Sequence, residues 1–155
     1  DQTDFTVAKA VELGAAKIIP VVTEYTSASK IRPERLEEII IEAAEQSRRQ
    51  DVPELTLPVN LKTLLAGWPA DRVLFYFDET GKGGDAAGVF PEHKGVAALL
   101  VGPEGGFSEK ELEFLRDLPY AYGISLGSRI LRAETAVIAG LSCWQALCGD
   151  WRRSL

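Results

Sequence analysis

Two glycine-bearing turns hold the residue types that could do chemistry in this chain. The first is Leu99-Leu100-Val101-Gly102-Pro103-Glu104-Gly105-Gly106-Phe107-Ser108, an apolar run that ends in three glycines within five residues. Ser108 followed by Glu111 has the spacing of a capping box, which makes Ser108 the expected N-cap of a helix. Backbone amide and carbonyl groups in such a turn lie open to a small polar ligand and match the edge of an adenine. Glu104 could face a cation or a ribose hydroxyl. A tight strand-to-helix turn without a ligand would use the same residues. The second turn is Leu126-Gly127-Ser128-Arg129-Ile130-Leu131-Arg132-Ala133-Glu134-Thr135. Its two arginines flank Ile130 and Leu131. The guanidinium fork suits a phosphate or a developing oxyanion, and the apolar pair could wall a planar base. Alternatively, Arg132 and Glu134 pair and cap a helix. Ligands of open α/β sheets sit at the carboxyl ends of strands, so both turns are expected to build one pocket.

Other candidates are weaker. His93 is the sole histidine and lies among Pro, Glu and Lys, where a solvated ring is expected. Gly81-Lys82-Gly83-Gly84-Asp85 lacks the spacing and the Lys-Ser/Thr pair of a phosphate-binding loop and reads as a mobile connection. Cys143 and Cys148, five apart, have no His or Cys neighbour that would suggest a metal site. Lys30, Arg32, Arg48 and Arg49 could form a local basic strip for RNA phosphate, or be solvated singly.

The 155 residues fit one domain with an ordinary core, 46% of them hydrophobic. A net charge of −6 argues against a chain whose main task is gripping nucleic acid unaided. Apolar runs fall well short of the roughly 20 residues that span a bilayer, and Asp1 to Thr6 is unlike a secretory leader. A cytoplasmic protein, without a membrane, is the expectation. The first residue is Asp rather than Met, which reads as a trimmed piece of something longer.

The elements that must position these turns alternate along the chain. Thr3 or Asp4 is expected to cap a first helix with Phe5, Ala8, Ala10 and Val11 inward, ended by Gly14. Ala16 to Thr23 reads as a strand, with Pro20 marking an edge or a bulge. Pro33 suits a helix N1 position, and Leu36, Ile39, Ile40, Ala43, Ala44 and Ser47 repeat at helical spacing to about Gln50. The polar end of that helix, Glu42 to Arg49, reads as a solvated face before a site. Leu55 to Leu57 is a short strand between two prolines, and Asn60 caps a short helix through Ala66. Strands follow at Arg72 to Phe77, Gly95 to Val101 and Tyr120 to Leu126, with a helix from Ser108 to about Leu118. Glu134 to Cys148 is the last helix, with Val137, Ile138, Leu141, Trp144 and Leu147 as its apolar stripe. This alternation predicts an α/β fold with a mostly parallel sheet flanked by helices.

Four segments together resemble the ribosomal RNA small-subunit (uridine-N3) methyltransferase family of the knotted SPOUT class. They are Lys9 to Gly14, Ile41 to Ser47, Leu100 to Ser108 and Leu126 to Ala136, and they spread in the family's order over nearly the whole chain. The resemblance implies a C-terminal trefoil knot, which composition could not suggest because knots are so rare. It also implies S-adenosyl-L-methionine as methyl donor, a homodimer with the site at its interface, and ribosomal RNA in the small (16S) subunit as substrate. The family carries an N-terminal RNA-binding β-barrel domain, expected to be absent from residues 1–155, which would be the methyltransferase domain alone. The family often has Gly at the place of Arg48, often Arg-Ser at Tyr25-Thr26 and usually Pro at Ser128. These departures leave the glycines of both turns in place.

On this resemblance the loops Phe77 to Glu79, Gly102 to Gly106 and Leu126 to Leu131 hold the cofactor. The expected contacts are Phe77, Glu79, Gly102, Pro103, Glu104, Gly105, Leu126, Gly127, Ile130, Leu131, Thr135 and Ala136. Arg132 is expected to stabilise charge on the uridine carbonyl oxygens, with Arg129 as substitute and Glu134 orienting the arginine. Glu79 or Glu104 is the possible base. The last helix is the expected dimer seam, through Leu141 and Trp144.

Overall fold

A computed structural model describes residues 1–93 and 95–152. Helix α1 (Gln2–Glu12) starts earlier than expected, because the Asp1 side chain accepts the Asp4 N–H and takes the cap. Its inward pair is Val7 and Val11, while Phe5 is 48% exposed. They meet Leu36, Ile40, Ala43 and Ala44 of α2 (Pro33–Gln46), with Pro33 in the first turn. Glu42, Glu45 and Gln46 point to solvent, so the polar strip is a solvated face.

The expected strand from Ala16 is interrupted. Strand β1 (Lys17–Ile18) pairs in parallel with β3 (Glu54–Leu55), and β2 (Val21–Val22) with β4 (Val59–Asn60). The Thr56 N–H donates to Ile18 O and the Val59 N–H to Pro20 O, so a two-residue step on one strand faces three residues on the other. Pro20 and Pro58 supply no N–H there, and the extra residue is a bulge. Helix α3 (Leu61–Ala66) follows, with the Asn60 side chain accepting the Lys62 N–H as its cap.

The main sheet has four parallel strands. Strand β5 (Val73–Phe77) is central, between β7 (Ala97–Leu100) and β8 (Ala121–Ser125), and β6 (Gly84–Asp85) lies outside β8. Strand β5 is apolar throughout because both of its faces are covered. Leu74 and Tyr76 join Leu61, Leu65, Leu100, Leu112 and Leu115 on one face. Phe75 and Phe77 join Phe90, Ala86, Ile124 and Ala136 on the other. Helix α5 (Glu109–Arg116) covers the first face, and its capping box between Ser108 and Glu111 forms as expected.

The 81–85 segment turns at 81–83 and enters edge strand β6, which leads into α4 (Ala86–Val89), and a Cβ on Gly83 would stand 2.8 Å from backbone atoms of Gly123 and Ile124. Two expectations are corrected here. His93 is half-buried, its ring 3.9 Å from that of Tyr122 and 5.7 Å from that of Phe75. Helix α6 (Ala133–Leu147) lies on the sheet through Ala136 and Gly140, while Val137, Ile138 and Leu141 are only half-buried. A Cβ on Gly140 would come within 2.8 Å of Leu99 Cδ2 and 3.1 Å of Phe77 Cζ, so small residues let the helix approach the strands. Buried Gln145 of α6 donates to Leu13 O at 2.7 Å and accepts the Asp150 N–H at 2.8 Å, fastening α6 to the end of α1.

Candidate functional site

The carboxyl ends of β8, β5 and β7 lie side by side, and the loops that leave them enclose a cavity of about 220 Å³. Phe77, Val101, Leu126, Leu131 and Ala136 contribute apolar walls. Asp78, Glu79, Thr80, Ser125 and Arg129 add polar groups to the lining. An apolar wall with a few convergent polar groups is the usual make-up of a small-molecule site.

Each loop has a local reason for its shape. Gly106 N–H donates to Pro103 O at 2.8 Å, and Gly106 holds φ +75, a value that favours glycine. Its Cα lies close under Glu79, since a Cβ there would be 2.8 Å from Glu79 Oε2. Gly127 has φ +105, and its N–H donates to the Ser125 hydroxyl at 3.3 Å. The 78–81 loop is fixed by Asp78, whose side chain is 2% exposed. Asp78 Oδ1 accepts the Thr80 N–H at 3.0 Å and the Thr80 hydroxyl, and Oδ2 accepts Arg116 Nη2 at 2.9 Å. Burial is the largest single influence on this carboxyl and pushes its pKa up. The hydrogen bonds from Thr80 and Arg116 together outweigh it and hold the pKa below the ordinary aspartate value.

Of the residues singled out in sequence, the cavity brings together Phe77, Glu79, Gly102, Leu126, Gly127, Arg129, Ile130, Leu131 and Ala136. Its lining does not include Pro103, Glu104, Gly105, Arg132, Glu134 or Thr135. A Cβ on Gly105 would sit 3.4 Å from Tyr25 Cβ, so this glycine admits the Tyr25 side chain. Ile130 is 90% exposed at the lip, walled by nothing, whereas Leu131 packs on the core. Arg132 is the N-cap residue of α6 without a side-chain cap bond, and no ion pair joins it to Glu134 among the described residues. Thr80 and Arg116 are not singled out by the sequence, and Asp78 enters only as part of the Phe77 to Glu79 loop. Asp78 and Thr80 could have been found as an Asx-type turn after an apolar strand, but Arg116 gave no signal.

A parallel sheet with a cleft across its strand ends, lined in part by the glycine turns, defines an α/β ligand-binding domain. More particularly, residues 1–145 match the family model described as RNA methyltransferase domain, and the chain belongs to that family. It is 34% identical over 137 residues to the ribosomal RNA small subunit methyltransferase E of Rickettsia conorii, covering 86% of this chain and 54% of that protein. The Bacillus subtilis protein of the same name is 36% identical over 154 residues, covering 92% and 60% respectively. The chain therefore spans between about half and three-fifths of these two relatives. The crystal structure of a ribosomal RNA small subunit methyltransferase E from Neisseria gonorrhoeae bound to S-adenosyl methionine superposes with a TM-score of 0.89. It has 34% identity and covers 98% of this chain and 63% of that one. At 18% identity and a TM-score of 0.54, the SpoU methyltransferase AviRb from Streptomyces viridochromogenes shares the fold alone. The α/β architecture expected from sequence is thus the one found. Among the described residues no helix is long and apolar enough to cross a membrane.

Proposed function

We propose that this chain is the catalytic domain of an S-adenosyl-L-methionine-dependent methyltransferase acting on uridine N3 of small-subunit (16S) ribosomal RNA. The observation that carries the reading is the cavity where three strand-end loops meet, in a chain that superposes closely on a relative bound to S-adenosyl methionine. Phe77, Gly102, Leu126, Gly127, Leu131 and Ala136 would hold the adenosyl part of the cofactor. When bound, the cofactor supplies an electrophilic methyl group. The protein's task is then to place the acceptor in line with it. Uridine N3 must lose its proton as it attacks, and charge spreads to the flanking carbonyl oxygens. Arg132, with Arg129 beside the cavity, would stabilise that charge. Glu79 is better placed to hold the proton than Glu104, because Glu79 lines the cavity and Glu104 does not.

The same reading includes a trefoil knot around α6, a homodimer, and a cytoplasmic setting. Half-buried Leu141, with Val137 and Ile138 on the same helix, supports the dimer seam, while Trp144 packs against the chain's own core and does not. Free Cys143 and Cys148 suit a reducing compartment. A micromolar monomer in sedimentation would remove the seam.

Calorimetry with S-adenosylhomocysteine tests the cavity in this chain, and nucleoside mass spectrometry of bare small subunits tests the reaction in the full-length protein. N3-methyluridine is the expected product. A ribose-methylated product, or binding without transfer, would overturn the assignment. Arg132→Ala should cut turnover by about a hundredfold, and near-normal turnover in the folded variant would remove Arg132 from the mechanism.

A further inference from the structure

Asp78 is the one acidic side chain that is both buried and part of the cavity lining among the described residues. Its two oxygens divide their partners. Oδ1 accepts both the N–H and the hydroxyl of Thr80, while Oδ2 accepts Arg116 Nη2 at 2.9 Å. Arg116 Nη2 also reaches Thr80 Oγ1 at 3.2 Å, so the three side chains form a closed set. At the backbone, Asp78 N–H still donates to Ile124 O of β8, and Gly81 N–H returns to Asp78 O at 3.4 Å. Glu79 and Thr80 are therefore carried on a turn anchored at both of its ends.

Arg116 enters this set from a distance in sequence. It is the last residue of α5, and the capping box at the other end of α5 follows directly on the glycine loop that forms another wall of the cavity. One charged pair thus ties the wall after β5 to the helix that carries the wall after β7. Both lone-pair sites of Asp78 Oδ1 are taken, and Oδ2 is turned to the guanidinium. With its side chain only 2% exposed, this carboxylate is built to hold the loop rather than to bind a ligand.

We infer that Asp78 and Arg116 are positioning residues for the donor site: by fixing Thr80 and the 78–81 turn they set where Glu79 stands against Gly106 and so determine cofactor affinity. This rests on reading the cavity as the S-adenosyl-L-methionine site. A pair that only supported the fold would change the melting temperature and leave affinity in the folded protein untouched. A positioning pair changes the affinity as well, because a misplaced wall weakens every contact made through it.

The test is calorimetric titration of S-adenosylhomocysteine into the 155-residue chain and its variants, each at a temperature where circular dichroism shows it folded. Arg116→Gln and Asp78→Asn are each expected to weaken binding by about tenfold or more. Arg116→Lys, which keeps the charge but not the planar, pre-organised guanidinium whose Nη2 makes both contacts, should recover part of the loss. Arg49→Lys is the control, since Arg49 binds backbone carbonyls of Val11 and Ala15 and takes no part in the cavity. It should lower the melting temperature without changing affinity. If Asp78→Asn does not fold, Arg116→Gln decides, because that side chain is 32% exposed. Affinity within about twofold of wild type in folded Arg116→Gln overturns the inference and leaves the cavity's assignment standing. A wild-type chain that binds no S-adenosylhomocysteine overturns the assignment itself, and this inference with it.

Discussion

Glu111 joins Glu24 across the fold: its Oε2 accepts the Glu24 backbone N–H at 3.1 Å while its Oε1 accepts the Ser108 N–H at 2.9 Å. One carboxylate both completes the capping box of α5 and holds the loop after β2 against the glycine turn. Tyr25, next in that loop, packs where Gly105 has no side chain. The first half of the chain is thereby fixed to the loop that enters the cavity through Gly102.

Glu111→Ala removes both bonds at once. Loss of a cap partner costs about 1 kcal/mol, and the freed Glu24 N–H adds to it. The expected total is about 1–2 kcal/mol, read from the midpoint of urea unfolding. Glu111→Gln keeps one acceptor oxygen but sets an NH2 donor opposite the other N–H, so it can retain one of the two bonds and should cost less than Ala. Equal losses for both substitutions would mean that the one retained bond contributes nothing, and that the charge near the helix N-terminus or the second bond carries the effect.

Gly83→Ala tests whether the 81–85 segment is mobile or pinned. The added Cβ would meet Gly123 C, Ile124 N and Ile124 C at 2.8 to 2.9 Å, all backbone atoms of β8 that cannot rotate away. Strand β6 must then leave β8, at a cost of about 1–3 kcal/mol. Gly81→Ala is a poor comparison because Gly81 has φ +81, whereas Gly88→Ala meets nothing and should be near neutral. Faster hydrogen exchange in Gly84 and Asp85 of the Gly83→Ala protein would locate the change. An unaltered unfolding midpoint would show the segment free.

The strands and the longer helices were legible because period and caps write them locally. Phe75, Phe77, Leu74 and Tyr76 announce a strand covered on both faces, and Ser108 with Glu111 announces a helix start. The pairing of the two glycine turns in one pocket followed from their places at strand ends, whereas the identity of the cofactor came only from the resemblance. What was not legible depends on contacts distant in sequence. Arg116 looks like an ordinary charge at a helix end until Asp78 is seen 38 residues away beside it. His93 looks solvated until Tyr122 comes under its ring. The large apolar residues of α6 do not mark its most buried face, which runs through Ala136 and Gly140. The closest approach is instead made by Gly140, whose lack of a side chain is what permits it.

Arg48 and Arg49 show the same limit, and they separate by experiment. Arg49 Nη1 donates to Val11 O and to Ala15 O, both at 2.9 Å, and its other nitrogens hold Asp51. It is a clamp on the end of α1, so it has little left for an RNA phosphate. Arg49→Ala should destabilise by about 2 kcal/mol, since charged donors to buried carbonyls are lost. Arg48 instead sits at φ +60, a conformation that costs a residue with a Cβ roughly 1 kcal/mol. Arg48→Gly should therefore raise stability by up to about 1 kcal/mol. Thermal unfolding of the two variants should move in opposite directions.

The pH dependence of stability should report Asp78 with a definite sign. Burial favours the neutral carboxyl, but the Thr80 and Arg116 hydrogen bonds favour the anion and prevail, so the folded pKa lies below the unfolded one. Such a group contributes stability that is present above its unfolded pKa and is lost as pH falls through the folded value. Asp78→Asn keeps the shape and removes the charge, leaving Arg116 Nη2 opposite a neutral amide. At pH 7 the variant should be less stable by about 2 kcal/mol, in the range of a hydrogen bond to a charged group. As the pH is lowered past the ordinary aspartate range, wild type loses its advantage because its own carboxyl takes up a proton. The two unfolding curves should converge in acid and run parallel above neutrality. A gap that stayed constant down to the lowest pH at which both proteins fold would mean that the Asp78 charge contributes nothing, and that steric fit alone holds the 78–81 turn in place.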